Sequence, residues 1–321
     1  MKPFTGSIDR DAIVRRIEAN PIEGSPAAMR EAFAHLVLGD DCEPYDEPGA
    51  AAVLGSPVIE TREGVGSLTV LPRLATDEMG GVGGGERFAP DRMIVWFHGG
   101  GYVFGSPETH LRPAARLATL TQTPVLLPRY RLAPEHRWPA PLDDVLAIIR
   151  PLLDLDVRVV LAGDSAGGHL ALVTALELAK AGTPVAGSLL CAPNTDRTGL
   201  SDTRAAMTRR DPMNADEDDR TLATEMFGDL PNDHPYVSPV LNDLSRLPPT
   251  HIEVGDPEVL LGDSIILHER GRRAGASVTL HVEPDFLHMG QLWTPWWSPA
   301  NASLDRCASS AKQWLGVEAR R

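Results

Sequence analysis

Residues 157–181 read VRVVLAGDSAGGHLALVTALELAKA. The first seven are nearly continuous in apolar character, as a strand covered on both faces should be. The residues from Ala166 onward are rich in Ala and Leu, which favours a helix over 166–181. The joint is Gly163-Asp164-Ser165-Ala166-Gly167-Gly168. A strand that turns into a helix within so few residues needs small neighbours on both sides of the turn. G-x-S-x-G in this setting holds a serine hydroxyl on a sharp turn. It also puts Ser165 at a helix N-terminus, where the dipole favours developing negative charge. The plainer reading of Ser165 is a helix cap; the flanking strand and helix favour a nucleophile.

Working outward, MIVWFH (93–98), TPVLLP (123–128), AGSLLCA (186–192), THIEVG (250–255) and SVTLHVE (277–283) are further short strand-like runs. Helical stretches at 108–121, 141–153, 263–274 and 301–315 alternate with them. Such alternation predicts a mostly parallel sheet with helices on both faces. Earlier runs at 57–61 and 67–72 bring the expected sheet to about eight strands. Helices are expected at 9–20 and 26–37, separated by Pro21 and the Gly-Ser-Pro at 24–26. Residues 195–230 interrupt the rhythm and read as a helical insertion with an acidic run, Asp216 to Asp219. GGVGGG at 80–85 lacks the Lys-Ser/Thr and the following helix of a phosphate loop, and reads as plain loop.

In a sheet of this kind chemistry gathers at the carboxyl ends of the strands. After MIVWFH comes His98-Gly99-Gly100-Gly101-Tyr102. Successive glycines expose backbone N–H groups that can converge on an oxyanion. A serine nucleophile needs a base and an acid to orient it, in the chain order serine, acid, histidine. His251 and His281 fall inside strand patterns and His268 falls mid-helix. His288, in the loop EPDFLHMG, is the base candidate by position. For the acid, Asp256, Glu258 and Asp263 follow the THIEVG strand. Asp256 precedes Pro257 and is also a plausible helix cap. Residue chemistry alone does not choose between Asp256 and Glu258.

HGGGYVFGSPETH (98–110), YRLAPEHRWPAPLDDV (130–145), GDSAGGHLA (163–171) and the His288 loop together resemble the hormone-sensitive-lipase-like branch of the α/β-hydrolases, bacterial carboxylesterases with an HGGG motif. The resemblance spans roughly residues 50–315. It implies Ser165 as nucleophile, His288 as base, and an oxyanion hole of the Gly100, Gly101 and Ala166 N–H groups. The family's Asp-Pro-Leu acid, thirty residues before the histidine, falls here on Glu258 in Glu-Val-Leu; Asp256 is kept as the alternative. Arg129 is a second departure, since the family usually has Asp there. Glu135 and Asp143 are expected to support loops. The resemblance also implies a cap built from residues 1–45 and the 195–230 insertion, over a catalytic domain of residues 46–321. Tyr102, Met213, Phe227 and Trp293 are the candidates for lining a substrate pocket.

The expected activity is a serine carboxylesterase acting on small to medium neutral esters, with no metal or organic cofactor. A lactone hydrolase, amidase or N-deacetylase would use the same residues. A non-catalytic small-molecule receptor on this fold is the remote alternative, disfavoured because Ser165, His288 and an acid are all present. The net charge of −14 speaks against nucleic acid as a partner. No run approaches a membrane span, so no stable membrane association is expected. Three widely spaced cysteines, Cys42, Cys191 and Cys307, make neither a disulfide framework nor a zinc pattern. A cytoplasmic location is the expectation, and a homodimer is expected by resemblance.

Overall fold

The computed structural model describes residues 7–39, 65–70 and 90–317. Two helices come first, α1 (Arg10–Glu18) and α2 (Pro26–Leu38). Asp9 caps α1 by accepting the Ala12 N–H at 2.8 Å, and Ser25 caps α2, which opens on Pro26. The sheet strands are β1 (Ser67–Val70), β2 (Arg92–Phe97), β3 (Val125–Pro128), β4 (Arg158–Asp164), β5 (Gly187–Cys191), β6 (Thr250–Gly255) and β7 (Val278–Glu283). Their helices are α3 (Leu111–Thr121), α4 (Ala140–Asp154), α5 (Ala166–Lys180), α8 (Leu261–Arg273) and α9 (Ser298–Leu315). The expected insertion carries α6 (Thr203–Met207) and α7 (Asp216–Phe227).

Among the described residues the sheet has seven strands in the order β1-β3-β2-β4-β5-β6-β7. The expected eighth, at 57–61, lies outside the described residues, as do the 80–85 glycines and Cys42. Only β1 runs antiparallel to its neighbour; β2 through β7 are parallel. Parallel strands aim all their carboxyl ends at one edge. The loops after β2, β4, β6 and β7 carry residues 98–102, 165, 256–258 and 288, so the topology brings every chemical candidate to that edge.

The sheet is covered on both faces. Met93, Val95 and Phe97 of β2 point into one core with α4 and α5. Ile94 and Trp96 point into the other, against α3 and α9. A third apolar cluster joins α1 and α2 to the loop after β7: Ile13, Ile17, Phe33 and Leu36 pack with Phe286, Leu287, Met289 and Trp293. The His288 loop is thus wedged between the sheet edge and the N-terminal helices.

Candidate active site

Ser165 sits at φ 53°, ψ −118° between β4 and α5. A non-glycine residue in this region is strained and needs its surroundings to hold it. Those surroundings are the flanking glycines. A Cβ on Gly163 would stand 2.4 Å from the Gly167 carbonyl oxygen, and one on Gly167 would stand 2.1 Å from that of Phe97. Helix and strands therefore approach closer than any side chain permits. The Ser165 N–H donates to the Cys191 carbonyl at 2.9 Å, and the Ser165 carbonyl accepts from His169 N–H at 3.0 Å. The hydroxyl does not cap α5, although Ser165 occupies the N-cap position. The first-turn N–H groups of α5, including that of Ala166, keep their unmet hydrogen-bonding capacity at the positive end of the helix.

Gly100 and Gly101 lie in the loop after β2 at φ +112° and +59°. A side chain on Gly100 would strike the Phe104 backbone, its carbonyl oxygen lying 2.4 Å from the added Cβ. The Gly100 carbonyl accepts from the N–H groups of Val103 and Phe104. The Gly100 and Gly101 N–H groups themselves have no acceptor among the described residues. Asp164 is the buried brace of this loop. Its carboxylate accepts the Gly99 N–H at 3.1 Å and the Trp96 Nε1–H at 2.8 Å, and lies 3.1 Å from His110 Nε2. Burial would raise the Asp164 carboxyl; His110 and the Trp96 bond outweigh that and hold it below the ordinary range.

His288 and Glu258 are buried together, 3% and 1% exposed, with Nδ1 and Oε2 at 2.7 Å. The other Glu258 oxygen accepts the Gly255 N–H at 2.5 Å, which locks the carboxylate against the end of β6. Burial pulls the imidazole down, but the Glu258 bond and charge, with Asp211 and Asp164 further out, push His288 up to about 9. A carboxylate accepting from Nδ1 fixes the tautomer and leaves Nε2 with its lone pair. Asp256 is elsewhere. It accepts the Asp285 N–H at 2.8 Å near the surface and braces the far end of the loop that carries His288. Asp263, the third carboxylate after β6, lies buried under the insertion and is bonded to Arg204.

Ser165 is 7% exposed. Leu222 of α7 packs directly on the glycine loop, with Cδ1 2.4 Å from where a Gly101 Cβ would stand. Met213 is half-buried against the cluster around Phe286 and Met289. The other lining candidates go to the core. Tyr102 donates its hydroxyl to His169 Nδ1 at 2.6 Å, since His169 Nε2–H is committed to the Tyr236 carbonyl at 2.9 Å. Phe227 packs at ring distances of 5.9 Å from Tyr102 and 5.4 Å from Trp138. Trp293 is buried in the cluster under α1, with Arg16 above its ring. The structure therefore brings Tyr102 and Phe227 to each other and Trp293 to the N-terminal helices. A cavity of about 410 Å³ lies in the insertion, lined by Arg197, Arg204, Arg220 and Phe227 among others, with neither Ser165 nor His288 in its wall.

Sequence reasoning missed Asp164, His110, Asp211 and Leu222. Asp164 and His110 lay inside quoted motifs and gave a signal in their positions beside the serine and at the end of the glycine loop. Asp211 and Leu222 gave none that could be separated from the rest of the insertion. The loop support expected of Asp143 belongs to its neighbour: Asp144 is buried and accepts the Arg131 N–H at 2.8 Å, while Asp143 faces solvent. Glu135 holds Arg30 of α2 at 2.6 Å. Arg129 pairs with Glu108 on the surface, which accounts for a cation there.

Among the described residues, two clusters hold ligand atoms within 4.8 Å of one another, Asp211/Glu258/His288 and His251/Glu253/Cys307. In the first, the Glu258 and Asp211 oxygens already accept N–H bonds. In the second, Glu253 is already held by the Arg306 guanidinium at 2.7 and 2.8 Å and by His251 Nε2 at 2.7 Å.

The family described as alpha/beta hydrolase fold matches residues 94–292. An acetyl-hydrolase of Streptomyces hygroscopicus is 34% identical over 208 residues, 64% of this chain and 70% of that protein. An esterase of Acinetobacter venetianus is 30% identical over 225 residues, 68% of this chain and 74% of that one. Among solved structures, an esterase from the bacterial hormone-sensitive lipase family superposes with a TM-score of 0.81 at 27% identity, covering 95% of this chain and 98% of that chain. A hormone-sensitive lipase from a metagenome library gives 0.81 at 29% identity, covering 96% and 99%. With sequence, fold and relatives in agreement, the chain belongs to the α/β-hydrolases, in the hormone-sensitive-lipase-like branch, and is a carboxylic ester hydrolase.

Proposed function

We propose that this esterase cleaves small to medium neutral carboxylic esters through an acyl-enzyme on Ser165, with His288 as base and Glu258 as the acid that orients it. The buried 2.7 Å bond between His288 Nδ1 and Glu258 Oε2 carries the reading. It leaves Nε2 free to take the Ser165 proton as the hydroxyl oxygen attacks the ester carbonyl. Glu258 stays ionised and stabilises the imidazolium that forms. The N–H groups of Gly100, Gly101 and Ala166 receive the charge that develops on the carbonyl oxygen; their fixed orientation costs no reorganisation at that moment. The imidazolium then gives its proton to the leaving alcohol oxygen. Water, deprotonated by His288, attacks the acyl-enzyme carbonyl and releases the carboxylic acid and free Ser165.

The leucine packed on the glycine loop supports short acyl groups, as does similarity to a protein named acetyl-hydrolase. Residues 1–45 and the 195–230 insertion act as the cap over a catalytic domain of residues 46–321, with Met213 and Leu222 facing the substrate. No described helix is long and apolar enough to cross a membrane. The test is hydrolysis of p-nitrophenyl acetate and butyrate, with phosphonate labelling followed by peptide mass analysis. Turnover with label on Ser165 is expected. No hydrolysis together with an unlabelled Ser165 would falsify the reading.

A further inference from the structure

The His288–Glu258 pair has a third member that the triad chemistry does not use. Asp211 lies in the insertion between α6 and α7, and its carboxylate is buried. One oxygen accepts the N–H groups of Met213 and Asn214 at 3.0 and 3.1 Å and shapes the turn into α7. The other crosses to the sheet edge and accepts the Val259 N–H at 3.1 Å. Val259 is the residue after Glu258, so a single carboxylate ties the insertion to the acid's own turn. Its oxygen, a Glu258 oxygen and a His288 ring nitrogen lie within 4.8 Å of one another.

We propose that Asp211 is a positioning residue for the base: a second buried carboxylate, delivered by the insertion, that fixes the Glu258 turn and faces the imidazole, so that the base is fully set only when the insertion is seated. The proposal rests on the reading of His288 as general base. Burial pushes the Asp211 carboxyl up, while His288 and the three N–H donors draw it back toward the ionised form. The groups acting on His288 are Glu258 through its hydrogen bond, Asp211 from the insertion and Asp164 from the elbow. Asp164 is bound to Trp96, Gly99 and His110. Asp211 is therefore the charge that moves with the insertion. When His288 takes the Ser165 proton, Asp211 adds its charge to those of Glu258 and Asp164 in stabilising the imidazolium.

The experiment is the pH dependence of kcat and kcat/KM for p-nitrophenyl acetate in the full chain, for wild type, Asp211→Asn, Asp211→Ser, Asp211→Glu and His288→Ala. In the two neutral variants the midpoint of the acid limb is expected to fall by about one pH unit, with plateau kcat down about tenfold and KM within about twofold. Asp211→Glu is expected to keep the wild-type midpoint. A neutral variant that loses kcat with its midpoint unmoved would show a merely structural role and overturn the proposal. If neither neutral variant folds, Asp211→Glu decides: a retained midpoint supports the proposal and an acid-shifted one overturns it. His288→Ala separates the two readings. Its retaining activity overturns both; its inactivity beside unmoved Asp211 midpoints overturns this one alone.

Discussion

Asp256 and Glu258 stand two residues apart on one turn, and both are carboxylates. Their geometry divides them: Glu258 is buried against His288, whereas Asp256 accepts the Asp285 N–H at the surface. Glu258→Ala is therefore expected to lower kcat/KM by about 10³–10⁴, the scale on which an orienting acid acts, and Asp256→Ala by less than about tenfold. The reverse order in steady-state kinetics would move the acid to Asp256. The same pair is expected to set the pH response. As the proposed base, His288 must be neutral to accept the Ser165 proton, and it is held up to about 9. Activity should thus be lost as pH falls, with the acid-limb midpoint of kcat/KM well above the ordinary histidine value of about 6.5. Stability responds with the opposite sense. A raised folded value contributes stability that is fully present below about pH 6.5 and is lost as pH rises through about 9. At this scale the serine and the glycines were legible because each needs a local backbone shape that leaves a motif, and the histidine by its position after a strand. Residue chemistry alone left the acid open, and only the thirty-residue spacing of the resemblance pointed to Glu258. Asp211-Pro212 and Asp256-Pro257 look alike as dipeptides, and only the fold sends one beside the base and the other to the surface.

The strands and helices of the sheet were legible because burial on both faces leaves continuous apolar runs. The insertion was legible as an element and not as a structure, since an acidic run carries no sign of which carboxylates turn inward. In fact α7 turns Asp216 and Asp219 inward, where they meet Arg204. Arg204 also binds Asp263 at 2.8 Å, and Arg197 binds Asp219 at 2.7 Å. Asn194, just past β5, bridges Arg204 and Asp219 at 2.8 and 2.6 Å. The network thereby staples α6 and α7 to Asn194, three residues after β5, and to the start of α8. Removing one partner of such a network leaves buried carboxylates unpaired. Arg204→Met is expected to cost about 3–5 kcal/mol of unfolding free energy. Arg220, 73% exposed and paired with the same Asp216, is the control; Arg220→Ala should cost less than about 1 kcal/mol. Urea titration of both variants distinguishes them, and equal losses would mean the buried network carries no special share of the insertion's stability.

The whole molecule is a sheet edge closed from two directions, by the insertion on one side and by α1 and α2 on the other. The N-terminal helices reach the site through specific side chains. Arg30 donates to the Val103 and Ala133 carbonyls at 2.8 Å each, and so ties the residues just after the glycine loop to the segment after β3. Arg10 donates to the Asp285 carbonyl at 3.0 Å and steadies the loop of His288. Phe33 is fully buried; its ring lies 5.1 Å from Phe104 and 6.5 Å from His110. Both of those residues belong to the loop that carries Gly100 and Gly101. No sequence pattern links residue 33 to residue 104, because the link is made by packing between segments seventy residues apart. Phe33→Ala should cost about 3–5 kcal/mol through the cavity it leaves. If the N-terminal helices also brace the glycine loop, the same change lowers kcat more than tenfold, because N–H donors that drift by even about 1 Å lose much of their hold on the oxyanion. Denaturant unfolding and steady-state kinetics on the one variant give both numbers. A loss of stability with kcat unchanged would make α1 and α2 a cover for the core and nothing more, whereas a loss of both would extend the working site to a segment that lies outside every catalytic motif.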